Sequence, residues 1–194
     1  MLVAVFWLVT LWSGLINADE KSVDKVVALP GLDFQISFNQ YSGYLTGETH
    51  DVQLHYWFVE AQESPESKPL VLWMNGGPGC SSLDGLLSEH GPFLVAEGKK
   101  LVKNPSAWNN LANVLYLEAP AGVGFSYTTT KNVTTDDDKT ARNNLGALTS
   151  FLKRFPEYQG RDFFVTGESY GGVYVPTLAL LVLKHEKLLG INFK

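Results

Sequence analysis

Residues 163–171 read Phe-Phe-Val-Thr-Gly-Glu-Ser-Tyr-Gly, an apolar strand that runs into a glycine-flanked serine, and a helical pattern follows. This order is typical of a nucleophile elbow, because glycines two residues either side of the serine let neighbouring backbone approach without Cβ clashes. The elbow exposes the Ser169 hydroxyl beside a helix N-terminus, where free N–H groups can stabilise an oxyanion. We therefore predict that Ser169 is a nucleophile. The alternative is a glycine-rich turn with an incidental serine.

The chain before this stretch alternates between strand and helix patterns. Continuous apolar runs at 70–74 and 114–117 predict strands that are buried on both faces. Residues 51–60 alternate as a half-buried strand does, with His55 on the polar side, and residues 141–155 carry apolar side chains at helical spacing. Strands that alternate with helices predict an α/β fold with a mostly parallel central sheet.

A second glycine cluster, Asn75 to Gly79, follows the apolar run at 70–74. No Lys-Ser/Thr pair follows it and G-x-G-x-x-G is absent, so it is neither a P-loop nor a dinucleotide-binding loop. An exposed loop beside the nucleophile could offer backbone N–H groups as the other half of an oxyanion hole. We favour that interpretation over a simple turn.

The composition excludes several classes of function. The chain has 194 residues, of which 45% are hydrophobic and 18% charged, as expected for one globular domain. Its 15 basic and 20 acidic residues give a net charge of −5, which leaves no basic field for nucleic-acid binding. A single cysteine excludes an intrachain disulfide and a cysteine-rich zinc site. We expect no metal and no cofactor.

The N-terminus predicts a secretory signal peptide. Residues 1–16 are apolar and nearly uncharged, and the residues that follow favour cleavage after Ala18. The run is shorter than the roughly 18–20 apolar residues that span a bilayer, so a membrane anchor or a buried helix is the less favoured alternative. The sequon Asn132-Val133-Thr134 predicts a glycosylated surface loop. Residues 19–194 would then be the mature chain, in the secretory pathway and with no membrane contact.

Longer motifs carry a family resemblance that runs from about Leu29 to near the C-terminus. The chain closely resembles the serine carboxypeptidases of the cathepsin A type, in family order, at these positions: Leu29-Pro30-Gly31, Gln40-Tyr41-Ser42-Gly43-Tyr44-Leu45, Asn75-Gly76-Gly77-Pro78-Gly79-Cys80-Ser81-Ser82-Leu83, Glu89-His90-Gly91-Pro92-Phe93, Asn104-Pro105 with Trp108-Asn109, Ala119-Pro120-Ala121-Gly122-Val123-Gly124-Phe125-Ser126-Tyr127, and Gly167-Glu168-Ser169-Tyr170-Gly171-Gly172.

The resemblance implies the α/β-hydrolase fold, of which residues 19–194 would form the N-terminal portion, with an incomplete central sheet. It implies a hydrolase that releases C-terminal residues from peptides with a free C-terminus, through an acyl-enzyme. The implied setting is acidic, either lysosomal or extracellular, and the full-length family is expected to include homodimers.

The resemblance also implies roles for individual residues. Ser169 matches the nucleophile, and the backbone N–H groups of Gly77 and Tyr170 match the oxyanion hole. The residues that match the group holding the substrate's terminal carboxylate are Asn75, Gly76 and Glu168, with Glu89 as the second acid. Two acids that share a proton can donate a hydrogen bond to a carboxylate, so we expect peptide binding to weaken as the pH rises and the pair loses that proton.

A base for Ser169 is not evident. α/β-Hydrolases place their acid and then their histidine after the serine, but no Asp follows Ser169. His185 does follow, on the helix that begins at the elbow, which puts it roughly 24 Å along the axis. Three histidines precede the serine, and we expect none of them to be the base: His50, His55 on a strand surface, and His90 in a loop or cap.

The resemblance implies that Cys80 normally forms a disulfide with a cysteine in a later part of the chain. The alternative is a small buried thiol that stays reduced. The missing base and the unpaired cysteine together predict the N-terminal part of an enzyme, inactive by itself. Two other functions remain open. One is a carboxypeptidase-like acyltransferase, which uses the same motifs, and the other is a catalytically dead binding or regulatory remnant that keeps the cleft.

Overall fold

A computed structural model describes residues 21–194 of the chain. The predicted signal peptide, residues 1–18, lies outside the described residues. Between residues 21 and 194, no helix combines the length and the apolarity that a membrane crossing requires.

A mixed sheet of seven strands forms the centre of the fold. The nine strands of the described chain are β1 (Gln40–Thr46), β2 (Val52–Val59), β3 (Leu70–Met74), β4 (Phe93–Ala96), β5 (Lys100–Lys103), β6 (Asn113–Leu117), β7 (Tyr127–Thr128), β8 (Asp162–Gly167) and β9 (Asn192–Phe193). The order across the sheet is β1-β2-β6-β3-β8-β9, and β7 pairs with β2. Strands β6, β3, β8 and β9 run parallel, whereas β1 and β2 are antiparallel to each other and β2 is antiparallel to β6.

Two long helices flank the sheet, α1 (Asp137–Arg154) and α2 (Gly171–Leu189). The carboxylate of Asp136 caps α1 by accepting a hydrogen bond from the Lys139 N–H at 2.7 Å. Four short helical turns complete the regular structure: a π-helical turn at Gly85–Glu89 and 3-10 turns at Glu97–Lys99, Trp108–Asn110 and Pro156–Tyr158.

Apolar layers cover both faces of the central strands. All five side chains of β3 are buried. Leu70 and Leu72 belong to the larger core cluster, which includes Phe151 of α1, whereas Val71 and Trp73 face a second cluster on the opposite side of the sheet. The strand predicted at 70–74 is therefore confirmed as one that is buried on both faces, and the predicted α/β fold is confirmed with it.

The register of the parallel strands determines where a site can form. Trp73 pairs with Tyr116 on one side and Met74 pairs with Gly167 on the other. The carboxyl ends of β3, β6 and β8 therefore lie at the same edge of the sheet. In open α/β sheets, this edge is where ligands bind.

The small antiparallel hairpin of β4 and β5 was not predicted. Its strands have four residues each, and lysines begin and end β5, so neither strand shows the apolar run or the longer alternation that marks a buried strand. Phe93 of β4 packs against the rings of Phe34 and Phe38, with centroids 6.0 and 6.1 Å away, and these contacts come from residues more than fifty positions earlier in the chain.

Candidate active site

Ser169 lies at the end of β8, in a strained turn before α2. Its φ of +52° is in the left-handed region, which a residue with a Cβ rarely adopts. The turn is closed by hydrogen bonds from the Gly171 N–H to the Glu168 carbonyl at 2.6 Å and from the Gly172 N–H to the Ser169 carbonyl at 2.9 Å. The side chain is exposed. This is the backbone geometry that the G-x-S-x-G pattern predicts for a nucleophile elbow.

Replacing Ser169 by glycine is expected to raise the free energy of unfolding by about 0.5–1 kcal/mol, because glycine adopts a positive φ without a Cβ penalty. Urea unfolding measures the difference. Ser169→Ala is the matched control, since it removes the hydroxyl but keeps the Cβ and should give no such gain. An equal gain in both variants would show that backbone strain is not its source.

The loop after β3, residues 75–81, lies directly against the elbow. A Cβ on Gly76 would come within 2.4 Å of the Tyr170 backbone nitrogen and within 2.7 Å of the Glu168 carbonyl oxygen. A Cβ does not approach a non-bonded backbone atom this closely, so only glycine allows the two segments to meet here. The loop after β3 and the elbow therefore meet through backbone, as the second glycine cluster predicted.

The backbone N–H groups of Gly77 and Tyr170, which the resemblance assigns to the oxyanion hole, form no hydrogen bond with the described protein. Within residues 21–194, neither the Gly77 N–H nor the Tyr170 N–H donates a hydrogen bond to a protein acceptor. Gly77 is exposed, and its φ of +107° requires glycine. Two unpaired N–H groups, one in each of two segments that touch beside Ser169, are available to an oxyanion.

The side chain of Asn75 joins the two predicted acids. Its Nδ2 donates to Glu89 Oε1 at 2.9 Å and to Glu168 Oε1 at 3.2 Å. Its Oδ1 accepts hydrogen bonds from Trp73 Nε1 at 2.7 Å and from the Gly85 N–H at 3.1 Å. Because both partners of Oδ1 are obligate donors, the orientation of the amide is determined. Asn75 is buried, and both polar atoms of its side chain are hydrogen-bonded.

The acids are held by this amide rather than by each other. In the described chain, no direct hydrogen bond joins Glu89 to Glu168, so the shared proton remains a prediction. The backbone of Glu89 is positioned by Asn104, whose Nδ2 donates to the Glu89 carbonyl at 3.1 Å. Both acids are exposed at this edge of the sheet, where a substrate carboxylate can reach them.

The side chain of Tyr170 connects the elbow to α1. Its hydroxyl donates to Asp137 Oδ1 at 3.0 Å, and this hydrogen bond raises the pKa of the phenol. The ring packs edge to face on Tyr174 at 5.3 Å. Residue 170 is therefore held from two sides, which limits movement of its backbone N–H.

No histidine of the described chain is hydrogen-bonded to Ser169. His185 lies on α2, where its Nδ1 is 2.8 Å from the Leu181 carbonyl oxygen. His90 follows the π-helical turn and is enclosed by aromatic rings. His50 is exposed in the turn between β1 and β2.

The expected surface position of His55 was wrong. Only 7% of the residue is exposed, and its Nδ1 lies 3.0 Å from Glu118 Oε2. The strand alternation was correct, but Phe125 from the loop after β6 covers this face, with ring centroids 5.2 Å apart. Sequence reasoning also missed Glu118. An acidic residue directly after a doubly buried strand was the available signal.

The remaining predicted positions are all exposed. The Cys80 thiol is free and lies in the loop after β3. Asn132 lies in the segment between β7 and α1, where its Oδ1 accepts from the Thr134 N–H at 3.1 Å. Among residues 21–194, no group of three or more His, Cys, Asp or Glu side chains is arranged to hold a metal ion.

Comparison with known proteins identifies relatives of this arrangement. Residues 30–194 match the serine carboxypeptidase family. The lysosomal protective protein of Mus musculus is 57% identical over 166 residues, which cover 85% of this chain and 35% of that protein. The serine carboxypeptidase ctsa-4.1 of Caenorhabditis elegans is 56% identical over 167 residues, which cover 86% of this chain and 35% of that protein.

A solved structure agrees with the sequence relatives. Kex1(delta)p, a prohormone-processing carboxypeptidase from Saccharomyces cerevisiae, superposes with a TM-score of 0.76 at 28% identity. The match covers 90% of this chain and 42% of that one. The chain spans about a third of the length of the curated relatives, 35% in both cases.

Proposed function

The chain belongs to the serine carboxypeptidase family, and we propose that the whole protein releases C-terminal residues from peptides with Ser169 as its nucleophile. The observation that carries this proposal is the position of the Asn75, Glu89 and Glu168 group. Glu168 directly precedes Ser169 in the elbow, and Asn75 brings the second acid to it. A peptide whose terminal carboxylate binds this group presents its last peptide bond near the Ser169 hydroxyl.

The proposed reaction is acyl transfer through an ester. Ser169 Oγ attacks the carbonyl carbon of the last peptide bond and loses its proton to a base. The carbonyl oxygen becomes an oxyanion that accepts hydrogen bonds from the Gly77 and Tyr170 N–H groups. The C–N bond then breaks, the base returns the proton to the departing amine, and water hydrolyses the ester to regenerate Ser169.

The group formed by Asn75, Glu89 and Glu168 explains why the activity would be limited to the ends of peptide chains. The Asn75 amide is buried and held by two donors, so its Nδ2 has a fixed direction, with Glu89 and Glu168 on either side. A protonated carboxyl of this pair can donate to a substrate carboxylate, and an internal peptide bond offers no such group. Gly76, whose lack of a side chain lets the loop touch the elbow, keeps this group beside the nucleophile.

The proposal requires a proton acceptor from outside residues 21–194, since no described histidine reaches Ser169. Residues 19–194 expressed alone are therefore expected to be inactive. In the same way, the exposed Cys80 thiol is available to pair with a cysteine from outside this sequence.

The test uses the protein expressed from its complete gene. We expect a fluorophosphonate probe to label Ser169, and a blocked dipeptide with a free C-terminus to lose its last residue. Ser169→Ala should abolish both signals. The same dipeptide with an amidated C-terminus is the matched control, and it should be cleaved at least about tenfold more slowly, as expected for the loss of one charged hydrogen-bond set.

Each contrary result addresses a different part of the proposal. Equal cleavage of the free and amidated dipeptides would show that Asn75, Glu89 and Glu168 do not select substrates by their terminal carboxylate. Labelling without release of a residue, but with transfer to an added alcohol, would identify an acyltransferase. An unlabelled complete protein would identify a binding or regulatory protein that keeps the cleft.

The proposed setting is the secretory pathway, ending in the lysosome or outside the cell. The 57% identity to a protein named lysosomal protective protein supports it, together with the apolar N-terminal run of residues 1–16. In that pathway, the exposed Asn132 is a site for N-glycosylation. The expected homodimer of the full-length protein belongs to the same proposal.

A further inference from the structure

A buried carboxylate lies one strand away from Asn75, at the carboxyl end of β6. Glu118 is completely inaccessible to solvent. Its Oε2 is 3.0 Å from His55 Nδ1 and accepts a hydrogen bond from the Phe125 N–H at 2.9 Å. Its Oε1 contacts the hydroxyl of Ser81, which belongs to the loop after β3. The carboxylate therefore contacts β2, the loop after β3 and the loop that follows its own strand.

The glycine-rich loop after β6 is shaped around this carboxylate. Gly124 has a φ of +53°, and a Cβ there would come within 1.9 Å of Glu118 Oε1. Ser126 completes the enclosure, because its hydroxyl accepts from the His55 N–H at 2.8 Å and donates to the Glu118 carbonyl at 2.6 Å. Gly124 of the Gly122-Val123-Gly124 motif thus leaves room for the buried carboxylate.

The hydrogen bonds that Glu118 makes with His55, Phe125 and Ser81 keep its carboxyl group ionised. Burial by itself would raise the pKa of Glu118, but hydrogen bonds from His55, the Phe125 N–H and Ser81 outweigh it and hold the pKa below its usual value. An ionised group that is buried and fully hydrogen-bonded forms strong, short contacts and resists displacement. His55 is itself held on its far side, with Nε2 2.9 Å from Ser42 Oγ.

Ser81 connects the Glu118 carboxylate to the loop after β3, which contacts the Ser169 elbow. The Cys80 N–H donates to the Gly76 carbonyl at 3.0 Å, so the loop after β3 closes on itself just before Ser81. Ser81 Oγ also accepts from the Leu83 N–H at 3.1 Å. The contact with Glu118 therefore fixes the end of the loop whose start carries the Gly77 N–H.

We propose that Glu118 is a positioning residue for the oxyanion hole, which through Ser81 holds the loop after β3 in the conformation that aims the Gly77 N–H at the reacting carbonyl oxygen. This inference rests on the proposed function of Gly77. It assigns a role to the Gly122-Val123-Gly124 motif and to His55, which the proposed chemistry does not otherwise use.

The test combines hydrogen exchange with kinetics in the complete protein. Glu118→Gln and Ser81→Ala should each speed exchange of the Cys80 amide about tenfold or more, as loss of a charge-assisted hydrogen bond implies. The value of kcat should fall by a similar factor while KM stays within about twofold, because the oxyanion contact forms in the transition state. Ser81→Thr keeps the hydroxyl, so its amide exchange and its kcat should stay close to the wild-type values.

Asp84→Asn is the matched control, since it removes an exposed acid near the same loop and should change neither quantity. The proposal is overturned if Glu118→Gln and Ser81→Ala behave like Asp84→Asn, or if they raise KM and leave kcat unchanged. Failure of the proposed function looks different, since the wild-type protein would then neither label nor cleave. In that case, unchanged amide exchange would still refute the positioning role, and faster exchange would still support the contact that it depends on.

Discussion

At neutral pH, the Asn75→Asp variant is expected to lose about 3 kcal/mol of unfolding free energy relative to the wild type. The substitution keeps the oxygen that accepts from Trp73 and Gly85. It replaces the Nδ2 donor with a second oxygen that faces the carboxylates of Glu89 and Glu168. Three acids would then meet around a buried side chain, and no cation from residues 21–194 pairs with Glu89 or Glu168, so the substitution is expected to be strongly destabilising.

The loss should shrink as the pH falls. A carboxyl group that faces two others in the folded protein binds a proton more readily there than in the unfolded chain, so its pKa is higher in the folded state. The folded state then gains stability relative to the unfolded state as protons become available. Urea unfolding at pH 7 and pH 5 measures this, and the difference between Asn75→Asp and the wild type should be clearly smaller at pH 5.

Asn75→Leu is the control for the charge. It removes the same donor and also leaves the Trp73 and Gly85 N–H groups unpaired, so it is destabilising, but it adds no titratable group. Its deficit should therefore be the same at both pH values. If Asn75→Asp is also independent of pH, or is as stable as the wild type at pH 7, then repulsion among the three acids is not what the Asn75 amide prevents.

The elbow was predictable because its causes are local. The strand at 163–165, the glycines and the serine lie within a few residues of one another, and the positive φ of Ser169 follows from that short sequence. The doubly buried strand at 70–74 was predictable for the same reason, since an uninterrupted apolar run has few other stable places in a folded chain.

The partners that orient the site were not predictable in the same way. Asn75 depends on Gly85, ten residues away, and Glu118 depends on His55 and Ser81, from two other segments. Strand alternation gives the face on which a side chain lies but does not reveal what covers that face. His55 was misplaced because a loop from beyond β6 packs over the sheet, and this contact is set by the tertiary fold rather than by the β2 sequence.

When the pH is lowered from 7 to 5, the wild-type protein is expected to lose about 2 kcal/mol of unfolding free energy because of His90. Its ring stacks on Trp108 with centroids 4.1 Å apart and meets Trp73 edge-on at 4.2 Å. Its Nδ1 lies 3.1 Å from the Tyr116 hydroxyl, and its Nε2 is buried without a partner among the described residues. Burial in this apolar enclosure lowers the pKa of His90 from 6.5 to about 4.

The sign follows from proton uptake. At pH 5 the unfolded chain carries a protonated His90, whereas the folded protein keeps the ring neutral, so the unfolded state binds more protons and stability falls as the pH falls from 6.5 toward 4. His90→Gln should abolish this part of the pH dependence, because glutamine does not titrate and can still pair with Tyr116. Urea unfolding at the two pH values gives the difference directly.

His50→Gln is the matched control, because His50 is exposed and its replacement should leave the pH dependence of stability as it is in the wild type. An unchanged slope in His90→Gln would mean that the ring takes up a proton in the folded state, with its charge reaching solvent or the neighbouring Glu89. If the stability lost between pH 7 and pH 5 is about 2 kcal/mol smaller in His90→Gln alone, the residue next to the proposed carboxylate site is neutral at pH 5 in the folded wild type. The neutral ring would then place no imidazolium charge next to Glu89, whose carboxylate is held by the Asn75 amide.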